Sequence, residues 1–183
     1  MNICFSGGAL GADIAWGNAA KSHGHEVIHW SFHGHKSKAA YGIYELNLNE
    51  LAKADQWLAL ANHSLKRSWP IRNEHVANLL RRNYWQICES ESVYAVSSFV
   101  NDDSLLKING GTSWALQLYV DRCSNEHIVP YLYMFDQTTN SWYQWNKNWK
   151  QIIKPPIPSG IYTGIGTRDL SLSGLTAIQE VYS

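Results

Sequence analysis

The chain has 183 residues, long enough for one domain with a sizeable core. Fifteen basic and fifteen acidic side chains cancel, which argues against an extended nucleic-acid surface or an anionic membrane as partner. No apolar run approaches the ~20 residues of a membrane span, and three cysteines without metal-type spacing (Cys4, Cys88, Cys123) fit a reducing cytoplasm rather than a disulfide framework.

The N-terminus passes directly into Asn2-Ile3-Cys4-Phe5, short, apolar and β-prone, with no leader pattern of a basic stretch before an apolar one. The run Ser6-Gly7-Gly8-Ala9-Leu10-Gly11-Ala12-Asp13 follows and leads into a helix whose Ile14, Ala15 and Ala19 share a face. A strand entering a helix through glycines can hold an anion, because the backbone comes close and the first helical N–H groups point outward. Gly7 and Gly8 suit the tight turn and Gly11 the close packing of helix on strand. Asp13 favours the helix dipole yet would repel a phosphate, so a sugar hydroxyl or the loop itself is its better partner. A purely structural βα turn accounts for the same residues.

Glu26 to Phe32 alternates as a second strand and runs into His33-Gly34-His35. Beyond the carboxyl end of a parallel strand, His33 and His35 would lie beside the glycine loop, within reach of a phosphate or sugar. With no carboxylate or cysteine at ligand spacing, no metal is expected there. Leu48 to Leu65 carries Leu51, Ala54, Leu58, Ala61 and Leu65 on one helical face, and Arg67-Ser68-Trp69-Pro70 breaks the pattern.

A further helix spans about Ile71 to Ser90, with Val76, Leu80 and Ile87 as its apolar stripe. Glu74, Asn78, Arg82 and Gln86 recur every fourth residue, as a solvated face or as a functional row. Asn83 falls near the stripe, where a buried amide needs a partner. Ser92 to Phe99 reads as a buried strand and Val100 to Asn109 as a loop. Gly110-Gly111-Thr112-Ser113-Trp114-Ala115 then opens another helix, a second strand–glycine–helix junction with hydroxyl caps. Two such junctions suggest a ligand with separated phosphates, or with a phosphate and a ribose.

Ile128 to Asp136 is the next strand. The aromatic cluster of Ser141 to Trp145 with Trp149 is a β-ribbon or a lid, and Pro155 to Gly160 is a stiff connector. Ile161 to Gly166 forms one more strand, turning at Thr167-Arg168 before a short helix near Gly174 to Tyr182.

These motifs resemble the SLOG superfamily, the Rossmann-like group that contains the Smf/DprA, YpsA-like and Lonely-guy proteins. Ser6 to Asp13 is similar to the phosphate loop of the YpsA-like branch, and Gly110-Gly111-Thr112 to the second loop of Lonely-guy enzymes. Arg82 is similar in placement to an arginine those enzymes carry ahead of the same strand. Tyr162 to Arg168 resembles the strand with which YpsA-like domains begin, but stands here at the end. The chain therefore resembles a circularly permuted member, of the compact type found in bacteriophages.

The resemblance implies a single α/β Rossmann-like domain over residues 1–183. Its sheet would be mainly parallel, with helices on both faces and the last strand beside the first. It also implies a pocket for a nucleotide-derived molecule, ADP-ribose-like, NAD-derived or cyclic; together with the residue-level reading above, its candidate members are Ser6, Gly7, Gly8, Gly11, Asp13, His33, Arg82, Asn83, Gly110, Gly111, Thr112, Trp114, Gly166 and Arg168. No cofactor is implied, and a homo-oligomer is compatible. Lonely-guy hydrolases place a catalytic glutamate just after the second loop, where this chain has Ser113-Trp114-Ala115-Leu116-Gln117. A neutral amide cannot serve as the general acid or base for splitting an N-glycosidic bond. Binding without turnover is the first reading. The alternative is a phosphoribohydrolase or related N-glycosidase that uses Asp13, Glu74 or Asp121. Arg168 has two readings as well, a phosphate ligand or an ion pair with Asp13 or Asp169.

Overall fold

The computed structural model describes residues 1–101 and 106–183. It contains one eight-stranded sheet in the order β3-β2-β1-β8-β4-β5-β6-β7. The strands are β1 (Ile3–Ser6), β2 (Glu26–Phe32), β3 (Ile43–Leu46), β4 (Ser92–Ser97), β5 (Tyr131–Asp136), β6 (Ser141–Trp145), β7 (Trp149–Ile152) and β8 (Ile161–Gly166). The six from β3 to β5 run parallel, and β6 and β7 extend the sheet as an antiparallel ribbon.

The last strand lies between β1 and β4, pairing Ile3 with Ile161 and Val93 with Thr163. Counted from β8 as the first strand, the parallel part β3-β2-β1-β8-β4-β5 reads 4-3-2-1-5-6, which reverses direction at the first strand as doubly wound dinucleotide-binding sheets do. Its position follows from its composition. Gly164 carries no side chain where the Trp16 ring packs, so the strand fits under a large aromatic that any Cβ would displace.

Helices cover both faces, as expected. On one face α1 (Ala12–Ser22) and α6 (Leu172–Glu180) bury Trp16, Ala20 and Ile178 against Cys4, Tyr94 and Tyr162. On the other, α3 (Asp55–Leu65), α4 (Glu74–Ile87) and α5 (Thr112–Asn125) bury Leu58, Leu80, Ile87 and Leu118 against Val93, Ala95 and Ile165.

Several boundaries depart from the expectation. The helix expected over Leu48 to Leu65 is two, α2 (Leu48–Ala52) and α3. Lys53 and Ala54 bond back three residues rather than four, to Glu50 and Leu51, which turns the axis so that α2 packs on α4 and α3 on α5. Helix α4 starts at Glu74, because the Asn73 side chain caps the Val76 N–H. Strand β3 was not anticipated; with three of its four residues exposed, it lacks the alternation that marks a half-buried strand. Of the loop expected over Val100 to Asn109, residues 102–105 lie outside the described residues.

Candidate functional site

The two glycine junctions stand on either side of β8, at the carboxyl ends of β1 and β4. Helix α1 leaves β1 toward one face and α5 leaves β4 toward the other, so a crevice opens between them. It is a cavity of about 470 Å³, lined among others by Asp13, Arg82, Asn83, Ser97, Gly110 to Thr112, Trp114 and Gly166 to Asp169.

The first junction is tied from within through its carbonyls, the Ala12 and Ile14 amides and the Asp13 carboxylate, while the N–H groups of Gly7, Gly11 and Asp13 meet no acceptor among the described residues. Arg82 donates through Nη1 to the Gly7 carbonyl at 2.5 Å, and its Nη2 lies 3.6 Å from Asp13 Oδ2. The Gly8 carbonyl accepts from Lys38 N at 2.8 Å and Ser37 Oγ at 3.2 Å, while Ser6 Oγ donates to the Asp13 carbonyl at 2.7 Å. Of the first α1 amides, Ala12 N–H donates to the Thr167 carbonyl and Ile14 N–H to Ala9. Gly11 permits this approach: at φ 94° a side chain is strained, and a Cβ would meet the Thr167 and Arg168 carbonyls.

The anion of this junction is the chain's own. Burial pushes the Asp13 carboxyl above the usual range, opposed by the Arg82 guanidinium and the amides of Gly166 and Ala9. Such a pair replaces lost hydration only while both partners stay in place.

Arg82 gets there because the polar row on α4 faces inward. Asn78, Arg82 and Gln86 are buried, at 8%, 5% and 0% exposure, whereas Val76 of the expected apolar stripe is 38% exposed. The solvated-face reading of that row is therefore overturned beyond Glu74. Arg82 also approaches His35 Nε2 at 3.3 Å, and both amide atoms of Gln86 lack a partner among the described residues. Arg82 is the main neighbouring charge holding His35 down at about 3, after the effect of burial.

The second junction is arranged differently. Its carbonyls are taken: Arg67 donates to Ile108 O at 3.2 Å and Gly110 O at 2.9 Å, and Asn83 Nδ2 to Gly111 O at 3.2 Å. Among the described residues no acceptor meets the N–H groups of Gly111, Thr112 or Ser113. A Cβ at Gly110 or Gly111 would meet nothing within 4 Å. Two hydroxyls that line the cavity, on Ser97 (1% exposed) and Thr112 (6% exposed), also have no partner among the described residues. Buried polar groups are normally paired, so such unpaired donors at a cavity wall have a place for a ligand.

The crevice brings together Asp13, Arg82, Asn83, Gly110, Gly111, Thr112, Trp114, Gly166 and Arg168. Ser6, Gly7, Gly8 and Gly11 shape the first junction from behind and do not line the cavity. His33 is a correction: its exposed side chain lies 3.8 Å from Glu45, away from the cavity, because the turn after β2 swings it outward. Arg168 is exposed at the rim, and among the described residues it makes no ion pair with Asp13 or Asp169. Trp114 is 4% exposed and packs obliquely on Trp69, so its ring serves mainly as core.

Arg67, Ile71, Leu79, Leu80, Ser97 and Thr167 also line the cavity and were not anticipated. Arg67 sits in the segment read as a helix break, and only its arginine hinted at more. Among the described residues no three His, Cys, Asp or Glu side chains are grouped to hold a metal, and no helix is long and apolar enough to cross a membrane. No family model, curated protein or solved structure matches the chain.

Proposed function

We propose that the protein binds a nucleotide-derived small molecule, ADP-ribose-like, NAD-derived or cyclic, in the crevice at β8 without turning it over. The carrying observation is the second junction, where the free amides of Gly111 and Thr112 join the unpaired hydroxyls of Ser97 and Thr112 at one cavity. A phosphate seated there takes up N–H groups and the positive end of a 14-residue helix. Arg168 at the rim supplies a second cationic contact, and Ile71, Leu79 and Leu80 an apolar wall for a base. In a bacteriophage, the use of such a pocket is sequestration of a host immune signal.

Binding is favoured over hydrolysis by what the three carboxylates named as candidates, Asp13, Glu74 and Asp121, do. Asp13 is committed to Arg82, Glu74 pairs with Arg81 at 2.6 Å, and Asp121 accepts from Gln117 at 2.8 Å. Neither Glu74 nor Asp121 lines the cavity. The test is calorimetric titration with ADP-ribose, NAD and cyclic nucleotides, followed by chromatography of the recovered ligand. Saturable binding with intact recovery is expected. Release of free base or ribose phosphate moves the conclusion to the N-glycosidase, and absence of binding across the set rejects the pocket.

A further inference from the structure

We propose that Arg67 is the positioning residue of the second glycine junction, fastening its carbonyls so that its amides stay open to an anion. The proposal deepens the binding reading above and rests on it for the ligand arm of the test. Helix α3 ends at Leu65, and Lys66 adopts the left-handed region at φ 51°, which turns the chain out of the helix just before Arg67. The Arg67 guanidinium then reaches three oxygens of the junction: Ile108 O at 3.2 Å, Gly110 O at 2.9 Å and Ser113 Oγ at 2.5 Å. The Ser113 hydroxyl commits its own proton to Gly110 O at 2.7 Å, so it is an acceptor toward Arg67. Asn83 adds the bond to Gly111 O from α4.

All of these bonds end on oxygens, and that is what makes the arrangement more than a loop anchor. A peptide unit is planar and trans, so the N–H of one residue points opposite to the carbonyl of the residue before it. Holding Gly110 O and Gly111 O toward Arg67 and Asn83 therefore turns the N–H groups of Gly111 and Thr112 the other way. Those amides have no acceptor among the described residues, and their residues line the cavity. A flexible Gly-Gly pair has no intrinsic reason to keep this orientation, and Gly110 at φ 63° has given up the conformational restriction a side chain would bring. The fork of an arginine spans three acceptors at once; a lysine ammonium is a point charge on a flexible stem and does not.

The experiment uses the full chain, as wild type and as Arg67→Ala, Arg67→Lys and Ser113→Ala. Amide resonances and amide exchange are recorded without ligand, and calorimetric titrations follow with inorganic phosphate and with ADP-ribose. Without ligand, both Arg67 variants are expected to shift the resonances of Gly111, Thr112 and Ser113 and speed their exchange, leaving Gly7 to Asp13 unmoved. Affinity for ADP-ribose is expected to fall about tenfold or more in both, since hydrogen bonds to a charged group are lost and lysine does not restore them.

Unmoved ligand-free resonances overturn the proposal even if affinity falls, because Arg67 then acts by touching the ligand. Full affinity in Arg67→Lys overturns it as well, since charge alone would suffice. If wild type binds neither probe, the binding reading fails, and the ligand-free resonances still decide the positioning role. If Arg67→Ala does not fold, Ser113→Ala, which removes one of the three acceptors, must shift the same resonances or the proposal falls.

Discussion

The two strand–glycine–helix junctions look alike in sequence and differ in space: both have their carbonyls engaged, but only the first carries an internal carboxylate paired with a buried arginine. In the first, the carbonyls of Gly7 and Gly8, the Ala12 and Ile14 amides and the Asp13 carboxylate are all engaged from within the chain. In the second, only the carbonyls are engaged, and the amides face no acceptor among the described residues. The same glycine pattern can therefore be occupied from within by an internal carboxylate or left with its helix-start amides unpartnered. In the first junction that carboxylate is Asp13, with its own cation in Arg82.

The largest effect that tests this comparison comes from removing what stands between the junctions. A chain ending at Lys154 lacks β8, so β1 and β4 lose their shared neighbour in the middle of the sheet. It is expected to yield no soluble, monodisperse protein on size exclusion. A truncated chain with an unchanged thermal midpoint would mean that β8 does not hold the sheet together.

Next is Arg82→Ala, which strands the buried Asp13 carboxylate. Breaking a buried pair by removing one partner costs about 3–5 kcal/mol, measured by denaturant unfolding. A loss under about 1 kcal/mol would place Arg82 among solvated surface pairs.

The same substitution in each junction sharpens the contrast further. A Cβ at Gly7 would strike the Arg82 guanidinium and the Asp13 carboxylate, so Gly7→Ala should cost ~1–3 kcal/mol as overpacking does. Gly111 has helical backbone angles and open space around it, so Gly111→Ala should stay within about 0.5 kcal/mol of wild type. Equal midpoints for the two variants would erase the distinction between the junctions.

Of the two junctions, acid should act on the first. His29, fully buried behind Gly8, has both ring nitrogens unpartnered among the described residues, faces the Tyr41 ring, and is held down to about 4 by burial and then by Arg82. His35 is depressed by burial, Arg82, His75 and Arg168. Both folded values lie below the ordinary 6.5 of an unfolded histidine, so their contribution is complete above that pH and is lost as pH falls toward 4 and then 3. For His29 the slope is at most roughly 1.4 kcal/mol per pH unit. Asp13 has the opposite sign, because its raised folded value means acid relieves its burial cost. Thermal midpoints should drop between pH 7 and pH 4.5, and His29→Leu should flatten the curve. An unchanged slope in His29→Leu removes that histidine from the account.

Arg168→Ala should disturb stability least, by under about 0.5 kcal/mol, because the side chain is exposed and makes no ion pair among the described residues. Its expected effect is on binding, a loss of about 1.5–3 kcal/mol in ADP-ribose titration if it meets a phosphate. Normal affinity would leave it as a solvated rim residue.

Much of this architecture is legible in the sequence because it depends on local pattern. Alternation in Glu26 to Phe32, apolar spacing in Leu48 to Leu65 (which the fold divides between two helices), and glycines closing Phe5-Ser6 and opening Thr112-Ser113 each follow from the geometry of one strand, helix or turn. The two glycines of Ile161 to Gly166 likewise marked a strand suited to the sheet interior, since one of them leaves room for Trp16. The tertiary structure alone decided which glycine junction is tied to a buried ion pair, because Arg82 reaches Gly7 across 75 positions of chain. It also decided that Asn78, Arg82 and Gln86 face inward: every-fourth spacing puts residues on one side of a helix but does not say which side meets the sheet. Arg67 became meaningful only when α3 ended beside Gly110 and Ser113, because hydrogen bonds between distant segments depend on where the chain folds back.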